Sequence, residues 1–428
     1  MWHLGPVTAA CLAKKGFFVT GLDPDKSVIE NLKKSEAPLF EPGLNELIAS
    51  GIAKKNLRFS TDPRSSLQDI DYLWVAFDTP VNENDEADVP YVKDQLVSIL
   101  EHLPTGTGVI ISSQVPVGFT KAVEDDARKR FPQKSLVFAA SPENLRLGKA
   151  ISVFGDPDRI VVGIREEKDR EKFLPLFSVL SNRLEWMKTE SAEMTKHAIN
   201  AFLATSVAFV NELALICEDV DADALEVAKG LKSESRIGPK AYLNPGAAFA
   251  GGTLARDILF LIHLGERLNK PSHLLRAVKE SNHDHQQWIK RQCSKYLGSI
   301  SKKKFALLGL TYKPDTDTLR RSSAVELGKW LYQNGGEVLG YDPKVKELPA
   351  ELKGKLTLVP NPDSAIEEAD CILVATEWPE FKDFSERIIA LMSKKIVIDP
   401  NGFLRSRFDP LRNSTYISVG RSAHEIKG

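Results

Sequence analysis

Lys196 and Asn200 stand one helical turn apart, on the same face of a helical segment that is otherwise apolar. A buried ammonium is costly unless paired, so Lys196 calls for a carboxylate, a phosphate or a catalytic duty. A lysine near a helix start that snorkels to water is the plainer alternative. Residues 244–257 read NPGAAFAGGTLARD, small residues that let backbone approach a ligand, followed by Arg256 and Asp257 as a helix begins. A Gly-rich turn with a helix cap is the plainer reading there. Residues 313–317, KPDTD, follow a strand and have Arg320 and Arg321 close by. Lys313 and these arginines suit a nucleotide phosphate at the carboxyl end of that strand, although taken singly such charges usually form a solvated face. At the N-terminus, Gly5 fits the last glycine of a dinucleotide turn and a helix follows over residues 6–15. Asp23 ends the next strand, where an acid holds the ribose. The first glycine is absent and Trp2 replaces the second, so this turn by itself reads more often as a cap, and only Asp23 at the correct offset brings the two readings level. Asp23 would pair with a ribose hydroxyl and repel a 2′-phosphate, which favours NAD over NADP.

These residues need scaffolds. Short β-rich runs at 17–23, 57–61, 72–77, 108–113, 136–140 and 159–164 alternate with helical stretches such as 90–102 and 120–131, the pattern of a doubly wound α/β sheet. Residues 191–218, 223–230, 256–268 and 273–297 are helical with almost no strand signal. From residue 303 the alternation returns, with strands at 305–308, 338–341, 356–359, 371–375, 396–398 and 416–419 and a helix at 322–333. The expected architecture is therefore α/β: two doubly wound, Rossmann-like parallel-sheet domains, residues 1–188 and 297–428, joined by a helical region, 189–296. A dinucleotide fold begins with a strand and a first glycine about 8 residues before Trp2. Either the start codon is late or the first sheet lacks its central strand.

With 428 residues, 42% hydrophobic and 27% charged, the chain is ordinary globular material, which excludes long disorder, collagen-like repeats and a polytopic membrane protein. Lys plus Arg (57) and Asp plus Glu (58) leave a charge of −1, so no global field recruits nucleic acid or a membrane surface, and neither partner is expected. Cys11, Cys217, Cys293 and Cys371 form no CxxC pair, so no metal site or disulfide framework is expected and the cytoplasm is the natural compartment. No Lys or Arg precedes the small apolar run at 7–13, unlike a signal peptide. Residues 198–217, interrupted by Asn200, Asn211 and Glu212, read as a buried helix and not a membrane span.

Taken in order, the segments resemble the UDP-glucose/GDP-mannose dehydrogenase family over nearly the whole chain. They are GPVTAACLA at 5–13, PLFEPGLNEL at 38–47, DTP at 78–80, ADVPYV at 87–92 and VPVGFT at 115–120. SPENLRLGKA at 141–150, PDRIVVG at 157–163, SAEMTKHAINAFLAT at 191–205, NEL at 211–213 and RIG at 236–238 continue the series. The loop at 245–257, GLTYKPDTDTLRRSS at 309–323, GYDP at 340–343 and TEWPEF at 376–381 complete it. The resemblance implies NAD-dependent, four-electron oxidation of the C6 alcohol of a nucleotide sugar to a carboxylate. In the family the intermediate aldehyde is captured by a cysteine, oxidised to a thioester and hydrolysed. An ungapped alignment of the family's PGxGYGGSCFPKD puts Thr253 at that cysteine.

The resemblance further implies that Lys196 holds a water or the developing alkoxide, Asn200 the oxyanion, and that Asp257 orients the lysine or the water. Glu143 matches the carboxylate assigned to base work in hydrolysis, whereas the second Glu of that loop is Leu147 and the Thr of the family's STVP is Gln114. Thr79, Ser113 with its neighbour Gln114, and Arg320 fall where the family meets NAD, alongside Gly5 and Asp23. Lys313 resembles the phosphate ligand of the sugar nucleotide, Tyr242 an aromatic beside the base, and Gly251 belongs to the substrate loop. Arg236 matches an arginine that reaches into a partner's active site, which implies a homodimer.

A hydroxyl is a far weaker nucleophile than a partly ionised thiol. The expectation is thus an NAD-dependent dehydrogenase acting at C6 of a UDP-hexose, UDP-glucose-like, without the thioester step. It would stop at the aldehyde or reach the acid slowly, through a hydrate or an ester of Thr253. The alternative is a catalytically impaired homologue that binds nucleotide sugar as a sensor or partner protein.

Overall fold

The computed structural model describes residues 1–80, 87–143, 145–250, 252–384, 387–410 and 414–425, and the elements below are those of the described residues. It falls into two compact units, Met1–Ile199 and Asn200–Gly428.

The first unit opens with α1 (Leu4–Lys14), buried from Gly5 to Ala13 because its residues are small enough to pack on every side. The strand β1 (Val19–Leu22) pairs in parallel with β2 (Leu57–Ser60). Between them run α2 (Lys26–Lys33), capped by the Asp25 side chain, and α3 (Leu44–Ala53). A second sheet holds β3 (Tyr72–Val75), β4 (Gly108–Ile111), β5 (Val137–Ala140), β6 (Ile160–Ile164) and β7 (Leu184–Lys188) in that order. The helices α4 (Val89–Leu100), α5 (Phe119–Arg130) and α6 (Arg170–Leu180) pack on it.

The structure departs from a single parallel sheet in two ways. No described strand hydrogen-bonds β1 to β3, so the sheet stands in two pieces. Accordingly Tyr72, Leu73 and Trp74 of β3 are only half-buried, whereas β4, flanked on both edges, is buried throughout. The strands β5 and β6 also run antiparallel. The helix between them, Ala150–Gly155, spans about 9 Å. That falls short of the ~15 Å of a strand that a parallel crossover must retrace.

A 31-residue helix, α7 (Thr189–Asp219), is the one described helix long and apolar enough to cross a bilayer. Its buried Lys196, His197, Asn200 and Asn211 all hydrogen-bond to protein, as a core helix requires. In the second unit follow α8 (Ala224–Ser233), α9 (Thr253–Arg267), α10 (His273–His285) and α11 (Trp288–Leu297). The sequence pattern reads the last two as one helix. The chain breaks at Gln286 and Gln287 because His285 and Trp288 commit to different partners, Gly246 O and the Glu218 carboxylate.

The remaining strands are β8 (Lys304–Leu308), β9 (Glu337–Tyr341), β10 (Thr357–Leu358), β11 (Cys371–Val374), β12 (Ile396–Ile398), β13 (Thr415–Ile417) and β14 (His424–Glu425). They lie in the order β10-β9-β8-β11-β12-β13-β14, parallel except for β14, and α12 (Ser323–Gln333) crosses from β8 to β9. The order reverses between β8 and β11, which opens a crevice at their carboxyl ends. There Gly309 adopts φ +82°, and a Cβ on it would meet Thr376 at 2.5 Å, so only glycine lets the two strand ends close. Buried Asp342, just past β9, accepts the N–H groups of Leu310 and Thr311 at 2.7 and 2.9 Å and Trp378 Nε1–H at 2.9 Å. It fixes the start of the segment that carries Lys313.

Candidate active site

In the first unit, Lys196 projects from α7 into the loop after β5. Its ammonium donates to the Glu143 carbonyl at 2.6 Å and lies 3.7 Å from that residue's carboxylate. The buried amine therefore has the carboxylate partner its environment demands. Ser113, Gln114, Thr120, Glu143, Glu193 and Lys196 line one pocket, with room for about one water molecule. The Ser113 hydroxyl is buried there without a hydrogen-bond partner among the described residues. Thr79 Oγ1 donates to the Gln114 carbonyl at 2.7 Å, so residues expected at the cofactor share one loop cluster. The helix α5 is N-capped by Gly118, which has no side chain to offer; the Glu193 carboxylate substitutes, accepting from Gly118 N at 2.6 Å and Thr120 N at 2.9 Å. Burial pushes the Glu193 pKa up, against the hydrogen bonds that pull it down.

At the other sheet of this unit, the first turn of α1 has no side-chain cap. Asp23 follows β1, where its carboxylate accepts from Asp25 N at 2.9 Å and pairs with the Met1 amino group. The Met1 side chain covers Gly5, whose hypothetical Cβ would meet Met1 Sδ at 2.7 Å. A bare helix N-terminus with an acid at the adjacent strand end fits the pyrophosphate and ribose diol of a dinucleotide.

In the second unit, Asn200 Nδ2 donates to the Asp257 carboxylate, with both side chains buried. Thr253 is the first residue of α9 and exposed, and among the described residues no hydrogen bond to its hydroxyl is found. Tyr312, beside Lys313, has its pKa pushed up by desolvation and by the nearby Tyr242, while Arg256 pulls it down. Arg321 extends past Gly252, its Cδ 3.9 Å from where a Cβ would stand. The Arg320 N–H meets Thr318 Oγ1 at 3.2 Å. Arg236 stands apart, 86% exposed and paired with Glu234 at 3.0 Å. Gly251 lies outside the described residues.

Residues 2–181 match the NAD binding domain of the UDP-glucose/GDP-mannose dehydrogenase family, residues 190–284 its central domain and residues 306–406 its UDP binding domain. The chain is 34% identical over 429 residues to the UDP-glucose 6-dehydrogenase of Rhizobium meliloti (strain 1021), covering 98% of each. The chain belongs to the UDP-glucose/GDP-mannose dehydrogenase family. It is also 32% identical to UDP-glucose 6-dehydrogenase TuaD of Bacillus subtilis (strain 168), covering 98% of this chain and 92% of that one. A UDP-glucose dehydrogenase structure from the archaeon Pyrobaculum islandicum superposes with a TM-score of 0.87 at 27% identity, covering 94% of this chain and 93% of that one.

Against that family background, the cysteines of this chain are informative. All four are buried, and burial pushes Cys11 up to about 11 and Cys293 up to about 12, with Cys371 raised well above the ordinary thiol value. These three thiols stay protonated and enclosed at neutral pH. Residues that reasoning from sequence passed over include Glu193, Glu41 and Asp342. Glu41 is buried and accepts Gly148 N and Ala150 N, both at 2.7 Å, tying down the loop that carries Glu143. The only available signal was that all three sit inside segments that already resemble the family.

Proposed function

We propose that this chain oxidises the C6 alcohol of a UDP-hexose, UDP-glucose in the first instance, and does so without a covalent thioester. What supports the reading is Thr253 at the head of α9, its hydroxyl partnered by no base among the described residues, in a chain whose cysteines are all buried. NAD, when bound, takes up the hydride from C6; the uncapped start of α1 and Asp23, with Thr79, Ser113, Gln114 and Arg320, would hold it. Lys196 supplies the positive charge that stabilises an alkoxide, and Asn200, oriented by Asp257, donates to the same oxygen as it becomes anionic. Glu143 is the base that takes a proton from water as an aldehyde hydrate forms. Lys313 and Tyr242, with Gly251, bind the diphosphate and the base.

The three matched segments then carry the roles expected of 1–188, 189–296 and 297–428: NAD binding, a helical dimerisation region and UDP-sugar binding. Phe202, Phe209 and Ile216, 71%, 48% and 59% exposed at seven-residue spacing along α7, support a homodimer through that helix, with Arg236 reaching the partner. The test is to count NADH formed per sugar with UDP-glucose, GDP-mannose and UDP-N-acetylhexosamines. One fast equivalent followed by a slow second, with UDP-glucose preferred, is the expected result. Two equally fast equivalents exclude the missing thioester step, and tight UDP-sugar binding with no NADH would make the chain a sensor or partner protein.

A further inference from the structure

The loop before α9 has few side chains with which to hold itself. Residues 245–250 are Pro, Gly, Ala, Ala, Phe and Ala, and none of their N–H groups meets a backbone carbonyl among the described residues. Instead, three asparagines from three separate elements read its backbone. Gly246 N donates to Asn211 Oδ1 on α7 at 3.0 Å, Ala247 N to Asn401 Oδ1 beyond β12 at 2.7 Å, and Phe249 N to Asn282 Oδ1 on α10 at 2.9 Å. Asn282 also returns its Nδ2 to the Phe249 carbonyl at 2.9 Å, and His285 Nε2 reaches the Gly246 carbonyl at 2.8 Å.

One carboxamide that satisfies both polar groups of a single residue imitates a β-strand partner, and Asn282 does so while 95% buried. The fit is tight: a Cβ on Gly246 would stand 2.2 Å from Asn401 Oδ1.

We propose that Asn282, with Asn401 and Asn211 beside it, is a positioning residue for the reaction. Its carboxamide fixes the backbone of residues 246–249 and thereby sets where α9 begins, and so where Thr253 and Asp257 stand. The inference rests on the dehydrogenase reading above. Loop and helix are then held at both ends, by the asparagines at one and by the Asn200–Asp257 bond at the other. Geometry at the reacting carbon inherits any slack in this arrangement, and displacement by about 1 Å costs on the order of 10²-fold in rate.

The experiment uses the full-length protein and the variants Asn282→Ala, Asn282→Asp and Asn401→Ala. Asn401 is exposed, so its variant keeps the test available if the buried substitution does not fold. Amide exchange without ligand should accelerate about tenfold or more at residues 246–254 and remain unchanged in α12 and β8. With UDP-glucose and NAD, kcat should fall by roughly 10²-fold in Asn282→Ala, while KM for NAD stays within about twofold. Asn282→Asp should regain activity relative to wild type as pH falls, since a protonated carboxyl again offers one donor and one acceptor. Unchanged exchange, or faster exchange with kcat intact, overturns the inference while wild-type activity leaves the functional reading standing. A wild type that neither binds nor oxidises UDP-glucose overturns both.

Discussion

On the proposed reading, replacing Thr253 by cysteine should turn a slow second oxidation into a fast one. Thr253 is the first residue of α9, a 15-residue helix whose N-cap, Gly252, offers no side chain, so the positive end of the helix is open to an anion at position 253. That field stabilises a thiolate by about 0.3–1 kcal/mol, up to ~2 where partly buried. At ~1.36 kcal/mol per pKa unit, a thiol of ordinary pKa ~8.5 would fall to between ~7 and ~8.3. At pH 8 between roughly a third and nine-tenths would be ionised, whereas a hydroxyl stays protonated at that pH. In the assay, enzyme in excess over UDP-glucose with saturating NAD is followed for NADH per sugar, and mass spectrometry of the quenched protein detects a covalent sugar adduct. Wild type should give one fast equivalent and no adduct; Thr253→Cys should give two equivalents and a transient adduct. The reasoning fails if wild type already yields two at equal speed, or if a folded, substrate-binding Thr253→Cys stays at one.

Glu193→Ala strands the N–H groups of Gly118 and Thr120, costing about 2–4 kcal/mol, so differential scanning calorimetry should show a lowered transition of the first unit; Glu193→Gln, keeping one acceptor, should lose less. Burial holds the His285 pKa below its ordinary value, so the unfolded chain binds the proton first and stability is lost as pH falls through ~6.5 toward the lower folded value. Raised acids such as Glu218 and Asp399 act in the opposite sense, so urea midpoints of wild type minus His285→Gln between pH 7.5 and 5.5 isolate the histidine. Phe202→Glu with Phe209→Glu should leave a monomer by light scattering; a dimer of unchanged mass would remove α7 as the interface.

How far the sequence discloses this molecule follows from the range of each signal. Periodicity is local, so the core of α7 and the apolar runs of β4, β8 and β11 were readable, whereas the order of β8 and β11, and with it the crevice between them, was not. The face of α7 shared by Lys196 and Asn200 was readable for the same reason, four residues of helix being a fixed geometry. Partners distant in sequence were not. The bonds of Glu193 to Gly118 and Thr120 span 75 and 73 residues, and that of Asn282 to Phe249 spans 33. A buried Asn or Glu in a helical pattern announces only that some polar partner exists. The reversed β6 was hidden for another reason: strand direction depends on where a connection ends, and residues 141–159 carry no periodic signal long enough to show it.

Those long-range bonds would let the residue at position 253 differ while its surroundings keep their form. Had the loop before α9 been anchored by its own side chains, a change at its end would have propagated to its neighbours. Its described anchors are backbone groups held by the side chains of Asn211, Asn282, Asn401 and His285. One turn further along, Asp257 is fixed by Asn200 from another helix. On the proposed reading, a threonine at position 253 leaves the groups that would remove the first hydride where the fold puts them, and withdraws only the thiolate on which rapid removal of the second would depend.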